Sequence, residues 1–228
     1  MYEFPFELDD FQKEACECIT KGESVVVCAP TGAGKTVIAQ HAIHCALEQG
    51  KRVFYTTPLK ALSNQKYNDF SEKYGSDKVG LLTGDTSINR GAQIVVMTTE
   101  VFRNMLYGTN FGSVTDNLKD VKYVILDEVH YMNDEQRGTV WEESIIYCPT
   151  NVQLVALSAT VANADKLTDW INTVHSKTEL INTDFRPVPL RFYYFDSSQP
   201  HTLLPLLTPS GALNKKIKPE KKEFKRGK

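Results

Sequence analysis

Lys35 and Thr36 close the stretch "APTGAGKT" (29–36), where Gly32 and Gly34 stand just ahead of an ammonium and a hydroxyl. These residue types at this spacing bind phosphate. Successive N–H groups of a glycine turn, with those of a following helix's first turn, converge on one concavity that favours anionic oxygens. The glycines admit a backbone geometry and a close approach that a side chain would obstruct. Lys35 would reach the β- and γ-phosphates and the Thr36 hydroxyl would ligate Mg²⁺, with Pro30, Thr31 and Ala33 completing the cradle. Far downstream, "KYVILDEVHYM" sets Asp127 and Glu128 at the tip of an apolar run, with His130 two residues on. Adjacent carboxylates there repel each other and lose hydration, unless a cation and a polyanion share the space. Asp127 can then hold a hydrated Mg²⁺ against Thr36 and the phosphates, and Glu128 can orient an attacking water.

Chemistry of that kind needs strands that end together. Short, continuously apolar runs rich in Val and Ile predict strands over Ser24–Cys28, Arg52–Thr56, Val79–Leu82, Ile94–Met97, Val121–Leu126 and Val152–Ser158. Helix-period segments between them cover Gly34–Gln49, Leu59–Tyr74, Glu100–Tyr107, Glu135–Tyr147 and Ala164–His175. Such alternation, with strands lacking a polar face, predicts an α/β domain: a mostly parallel sheet covered by helices on both faces. In a fold of this kind the acidic metal site sits at the end of another parallel strand, beside the cradle. After His175 the stretch "TELINTDFRPVPLRFYYF" reads as two short strands around a proline-rich turn, leading out of the sheet. The reading is a domain over 1–196 and a flexible linker with a basic tail over 197–228.

Composition narrows the classes. The chain has 228 residues, 41% hydrophobic and 24% charged, ordinary for a globular protein. No apolar run approaches the roughly 18 residues that span a bilayer. The acidic start, "MYEFPFELDD", has no basic-then-apolar export signal, and the five cysteines form no C-x-x-C pair or zinc spacing. An intracellular protein with reduced thiols is expected, cytoplasmic in a bacterium or housed in a plastid or nucleus. Net charge is −2, divided between +6 over 215–228 and −8 over the remainder. Any nucleic-acid contact must therefore be local, through amides, hydroxyls and a few cations.

The cradle departs from the strict G-x-x-x-x-G-K-[ST] pattern by opening on Ala29, and this form resembles the phosphate loop of superfamily 2 helicases. Other stretches agree in order along the chain, and together they resemble a DExH-box RNA helicase of the superkiller/antiviral, exosome-associated group. "DEQRGTVWEESI" and "FRPVPL" narrow the match to that group. The wording of "GKRVFYTTPLKALSNQK" and "TTEVFRNMLYGT" is most similar to its DEVH-box members of cyanobacteria and plastids. The resemblance covers roughly 1–196 and implies a RecA-like P-loop NTPase domain using ATP and Mg²⁺. It implies that Phe6 stacks on adenine and that Gln12 bonds the base edge with both amide functions. His130, the fourth residue of the box, would link the nucleotide site to "SAT", where Ser158 and Thr160 couple hydrolysis to movement. Single-stranded RNA backbone would be gripped by Lys60, Asn64 and Gln65, by Gly84 and Asp85, and by Thr98, Thr99, Glu100 and Arg103.

No Q-x-x-G-R-x-G-R type motif, which would supply an arginine finger, occurs in these 228 residues. The resemblance thus implies a first motor domain whose partners are RNA, a second RecA-like domain of a longer protein and RNA-decay or RNA-processing machinery, with no membrane role. Two other readings stay open on sequence alone: a DNA-repair helicase domain of related build, and a nucleotide-gated binding module without motor function.

Overall fold

The computed structural model describes residues 4–108, 117–134, 137–195 and 202–217. The chain divides into two compact units, Met1–Arg186 and Pro187–Lys228. The first holds α1 (Asp10–Lys21), β1 (Ser24–Cys28), α2 (Lys35–Glu48), β2 (Arg52–Thr57), α3 (Lys60–Tyr74), β3 (Val79–Leu82), β4 (Ser87–Ile88), β5 (Ile94–Thr98) and α4 (Thr99–Leu106). It continues through β6 (Val121–Leu126), a 3₁₀ turn (Val129–Asn133), α5 (Gly138–Ile146), β7 (Gln153–Ser158), α6 (Ala164–Val174) and β8 (Thr178–Asn182). Strand order is β4-β3-β5-β2-β6-β7-β1-β8, parallel except where β4 turns back on β3.

Alternation along each strand sends neighbouring side chains to opposite faces. Val25, Val27, Val53, Tyr55, Ile94, Val96, Tyr123, Ile125, Val155 and Leu157 pack with Phe11, Ala15 and Ile19 of α1, Ile38 to Ala46 of α2 and Phe70 of α3. The other parity, Val26, Cys28, Phe54, Val95, Met97, Val124, Leu126, Leu154 and Ala156, packs with Val101 and Phe102 of α4, Trp141 and Ile145 of α5 and Ile171 of α6. Each such aliphatic or aromatic side chain stabilises the fold by about 1.5–3 kcal/mol on complete burial. Two covered faces explain why the strand sequences carry no polar side.

Parallel register also brings the strand ends to one edge. Cys28 is level with Ser158, Leu126 with Ala156, Thr56 with Leu126 and Thr57 with Thr98. The loops that follow β1, β2, β5, β6 and β7 therefore open side by side, as the expected chemistry requires.

Three features differ from the sequence reading. The predicted elements omit α1, which is held by a capping box of Asp9 and Gln12 and closed by Gly22 in the left-handed region. They also omit the two-residue β4. Thr178–Asn182, read as leading out of the sheet, is its edge strand beside β1, with Val26 level with Leu180. A strand's partner in a parallel sheet is remote in sequence, so local pattern carries no record of it.

In the second unit, β9 (Tyr193–Phe195) pairs antiparallel with β10 (Leu203–Pro205), and a bridge joins Leu207 to Leu213. Part of the stretch read as linker is thus a hairpin, and compactness divides the chain after Arg186 rather than at 196. The basic stretch beyond 217 and the predicted helix start at 135–136 lie outside the described residues. Among the described residues no helix is long and apolar enough to cross a membrane, and all five cysteines are free.

Candidate nucleotide and strand-binding site

The cradle forms where β1 ends. Gly32 (φ +84°) and Gly34 (φ +89°) both adopt the left-handed conformation, and Gly34 caps α2. Lys35 folds back over the turn, its Nζ donating to the carbonyls of Ala29 (2.7 Å) and Pro30 (3.2 Å). Burial pushes the Lys35 ammonium below the ordinary lysine range, partly offset by the nearby Glu128 and Asp127 carboxylates. A bound polyphosphate would stabilise the charge that burial disfavours.

The acidic tip faces this turn. One cleft of about 360 Å³ is lined by Thr31, Gly32, Gly34, Lys35 and Thr36 on one side and Asp127 and Glu128 on the other. Leu62, Gln65 and Lys66 of α3 complete its wall. Asp127 is clamped through both oxygens: Oδ1 accepts the Glu128 N–H at 3.0 Å, and Oδ2 accepts the Tyr55 hydroxyl at 2.6 Å. Glu128 takes a left-handed conformation (φ 57°, ψ 42°) that carries a non-glycine side chain at a cost of roughly 1–2 kcal/mol. A continued strand would throw successive side chains to opposite faces; with this turn both carboxylates line the one cleft. The donor set of a hydroxyl and carboxylates consists of hard oxygens, suited to Mg²⁺.

His130 joins this tip to the end of β7. Its Nδ1 accepts the Ala159 N–H at 3.3 Å and lies 3.3 Å from Glu128 Oε2. One ring nitrogen cannot do both: Nδ1 accepts from the amide when it carries no hydrogen and donates to the carboxylate when it does. Ser158 is fully buried and Thr160 exposed, so within "SAT" only the threonine hydroxyl faces solvent.

The two residues expected at the adenine differ in their surroundings. Phe6 is 52% exposed with its ring 5.5 Å from that of Phe4, open to a stacking partner. Gln12 is only 4% exposed, and both amide functions are already bound within the protein. Its Oε1 accepts the Asp9 N–H at 3.0 Å, and its Nε2 donates to the carbonyls of Gly34 (3.2 Å) and Ala33 (3.4 Å). In this structure Gln12 braces the phosphate loop instead of presenting an open edge, because α1 packs directly against α2 and the turn.

The expected strand contacts separate into three groups. Lys60 and Asp85 meet each other at 2.5 Å, with Thr83 Oγ1 donating to the second Asp85 oxygen at 3.0 Å, so the loops after β2 and β3 are pinned together. The Lys60 ammonium holds the exposed Asp85 carboxyl below its ordinary range, and Gly84 beside it is open. A second group is committed to the fold. Thr99 is fully buried with its hydroxyl on the Thr57 carbonyl (3.1 Å), and Thr98 is 8% exposed. Their side chains are therefore not free to meet a strand, because β5 and β2 run level there. Glu100 pairs with Arg137, and Arg103 reaches Glu143 at 3.5 Å. In the third, Asn64 is half-buried on α3, while Gln65 lines the cleft between the glycine turn and the acidic tip.

Four residues that spacing did not single out stand at the site. Tyr55 holds Asp127. Lys66 lines the cleft with its ammonium 5.9 Å from the Tyr55 ring centre. Arg186 donates to the Thr31 carbonyl at 3.2 Å. Arg137 ties Glu100 to the Pro58 carbonyl (2.6 Å). All four fall within stretches that carry the family resemblance, yet spacing gives none of them a role, because each acts on a partner remote in sequence.

Comparison with known proteins gives the family. Residues 9–167 match the DEAD/DEAH box helicase family. The chloroplastic DExH-box ATP-dependent RNA helicase DExH15 of Arabidopsis thaliana is 54% identical over 216 residues, which are 94% of this chain and 18% of that protein. The probable helicase HelY of Mycobacterium leprae is 53% identical over 188 residues, 82% of this chain and 20% of that protein. The exosome RNA helicase MTR4 of Homo sapiens is 50% identical over 194 residues, 85% and 18% respectively. The chain thus spans about a fifth of the length of these relatives. Among solved structures, the DUF1998 helicase MrfA bound to DNA superposes with a TM-score of 0.63 at 24% identity, over 78% of this chain and 27% of that one. At that identity the likeness concerns the fold. The family match takes in the cradle, the acidic tip and the "SAT" segment, and the chain belongs to the DEAD/DEAH box helicase family.

Proposed function

We propose that this chain is the first RecA-like motor domain of an ATP-dependent RNA helicase, binding Mg²⁺–ATP in the cleft between the phosphate loop and the β6 tip. The observation that carries the reading is the convergence of Lys35, Thr36, Asp127 and Glu128 on one cleft. Thr36 and Asp127 would hold the metal, which when bound neutralises charge on the phosphate oxygens. Lys35 leaves its two carbonyls to meet the β- and γ-phosphates. Glu128 accepts a hydrogen bond from the attacking water and orients it toward the γ-phosphorus, while its left-handed turn brings that carboxylate into the cleft shared with Asp127. Phe6 stacks on the base and Gln12 stiffens the loop that carries the phosphates. His130, between Glu128 and Ala159, passes the state of the γ-phosphate to Thr160.

The RNA backbone would lie along the loops after β2, β3 and β5, contacted by Lys60, Asn64, Gly84, Asp85 and the N-terminus of α4. A second motor domain would supply the arginine finger; without one, turnover falls by about 10³–10⁵. This chain alone is expected to bind ATP, hydrolyse it very slowly and unwind nothing. Machinery for RNA decay or processing, and an intracellular setting, follow from the similarity to exosome-associated and chloroplastic relatives.

Calorimetric titration of the chain with ATP, with and without Mg²⁺, tests the site. Glu128→Gln in the longer enzyme should keep that affinity and lose turnover; retained turnover would remove Glu128 from its role. Matched RNA and DNA strands in one competition assay test the nucleic-acid reading, since a backbone grip that uses the 2′-OH discriminates between them.

A further inference from the structure

We infer that Tyr55 is a positioning residue for the metal-binding carboxylate: its phenol fixes Asp127 in the orientation that serves a metal–nucleotide complex, and so sets how strongly magnesium promotes nucleotide binding. Tyr55 acts in this way only if the cleft holds Mg²⁺–ATP, as proposed above.

Tyr55 is fully buried on β2, level with Ile125 of β6, so its phenol reaches along the neighbouring strand to Asp127 two residues further on. The O–H donates to Asp127 Oδ2 at 2.6 Å, a short bond of the kind formed when the acceptor is ionised. A phenol is protonated at neutral pH and serves here as the donor. An aspartate at a strand tip otherwise turns freely about two torsions. Here one oxygen is bound by the Glu128 amide and the other by Tyr55, which leaves one lone-pair direction on each for the waters of a hydrated cation.

The ring itself is held independently. It meets Phe70 edge-on, 5.1 Å between centroids at 75°, and the Lys66 ammonium covers it from the cleft side. Phenylalanine at this position retains that packing and loses only the donor. Partners that orient metal ligands contribute about 10–100-fold to metal affinity.

The experiment uses this chain with a fluorescent ATP analogue carrying a methylanthraniloyl group. Each variant is titrated in EDTA and over a series of Mg²⁺ concentrations, with its melting curve recorded. Tyr55→Phe should need about ten-fold more Mg²⁺ for half of the magnesium-dependent signal, with unchanged affinity in EDTA. Asp127→Asn should lose the magnesium dependence altogether. A wild-type magnesium curve for Tyr55→Phe, or equal weakening with and without the metal, would overturn the positioning role while leaving the nucleotide site intact. Should the wild-type chain itself bind the analogue without regard to Mg²⁺, the metal–nucleotide reading falls and Tyr55's role falls with it.

Discussion

Substituting alanine at Gly32 and at Gly34 separates backbone strain from the Gln12 brace. Both glycines have φ near +85°, so alanine at either must hold a left-handed conformation that costs roughly 1–2 kcal/mol. At Gly32 nothing lies within 4 Å of a new Cβ, and strain is the whole effect. At Gly34 the Cβ would stand 2.6 Å from Gln12 Nε2 and must push the amide away from the Ala33 and Gly34 carbonyls. Gln12 cannot swing into solvent without also releasing the Asp9 N–H at the start of α1. Losing one buried hydrogen bond's worth of interaction adds about 1–2 kcal/mol. A domain of this size loses about 2–4 °C of melting temperature per kcal/mol, so Gly34→Ala should melt about 2–8 °C below Gly32→Ala. Urea unfolding of both variants, repeated in a Gln12→Ala background, measures the coupling as a double-mutant cycle. In that background the two glycine variants should become equal. If Gly34→Ala proves no worse than Gly32→Ala, or if the gap survives loss of Gln12, the brace does not exist.

Two further outcomes follow from charges. Burial lowers the pKa of His41, His44 and His175, so the unfolded chain binds protons more readily than the folded one. Their contribution is complete above the ordinary value of 6.5 and is lost as pH falls through it toward the folded values. Melting temperature should therefore drop below pH 6.5, and His41→Gln should flatten the drop; an unchanged slope would remove His41 from the account. Lys60→Ala should weaken single-stranded RNA binding evenly across sequences and reduce the salt slope by about one, with nucleotide affinity unchanged. Fluorescence anisotropy over a salt series gives the slope, and a sequence-dependent loss would argue against a backbone contact.

Much of this site was legible before any fold was known. "APTGAGKT" specifies a phosphate turn because glycine conformations and amide convergence are local properties of eight residues. "YVILDE" announces its own burial and its own charged end. Both signals arise within one turn or one strand, where spacing in sequence is spacing in space. Thr99 and Gln12 show the opposite case. Each carries groups fit for a ligand, and only packing shows those groups already bound, Thr99 to the Thr57 carbonyl of β2 and Gln12 to the Ala33 and Gly34 carbonyls.

The sequence by itself determined that strands alternate with helices, that a glycine turn would follow the first strand and that carboxylates would end another. The tertiary structure decided that these ends adjoin. It also decided that β8 returns to the sheet, that Tyr55 reaches across a strand to Asp127 and that His130 touches Ala159. Local chemistry is written in neighbouring residues. Register between parallel strands is settled by side chains from both faces packing at once, and that sum belongs to no single segment.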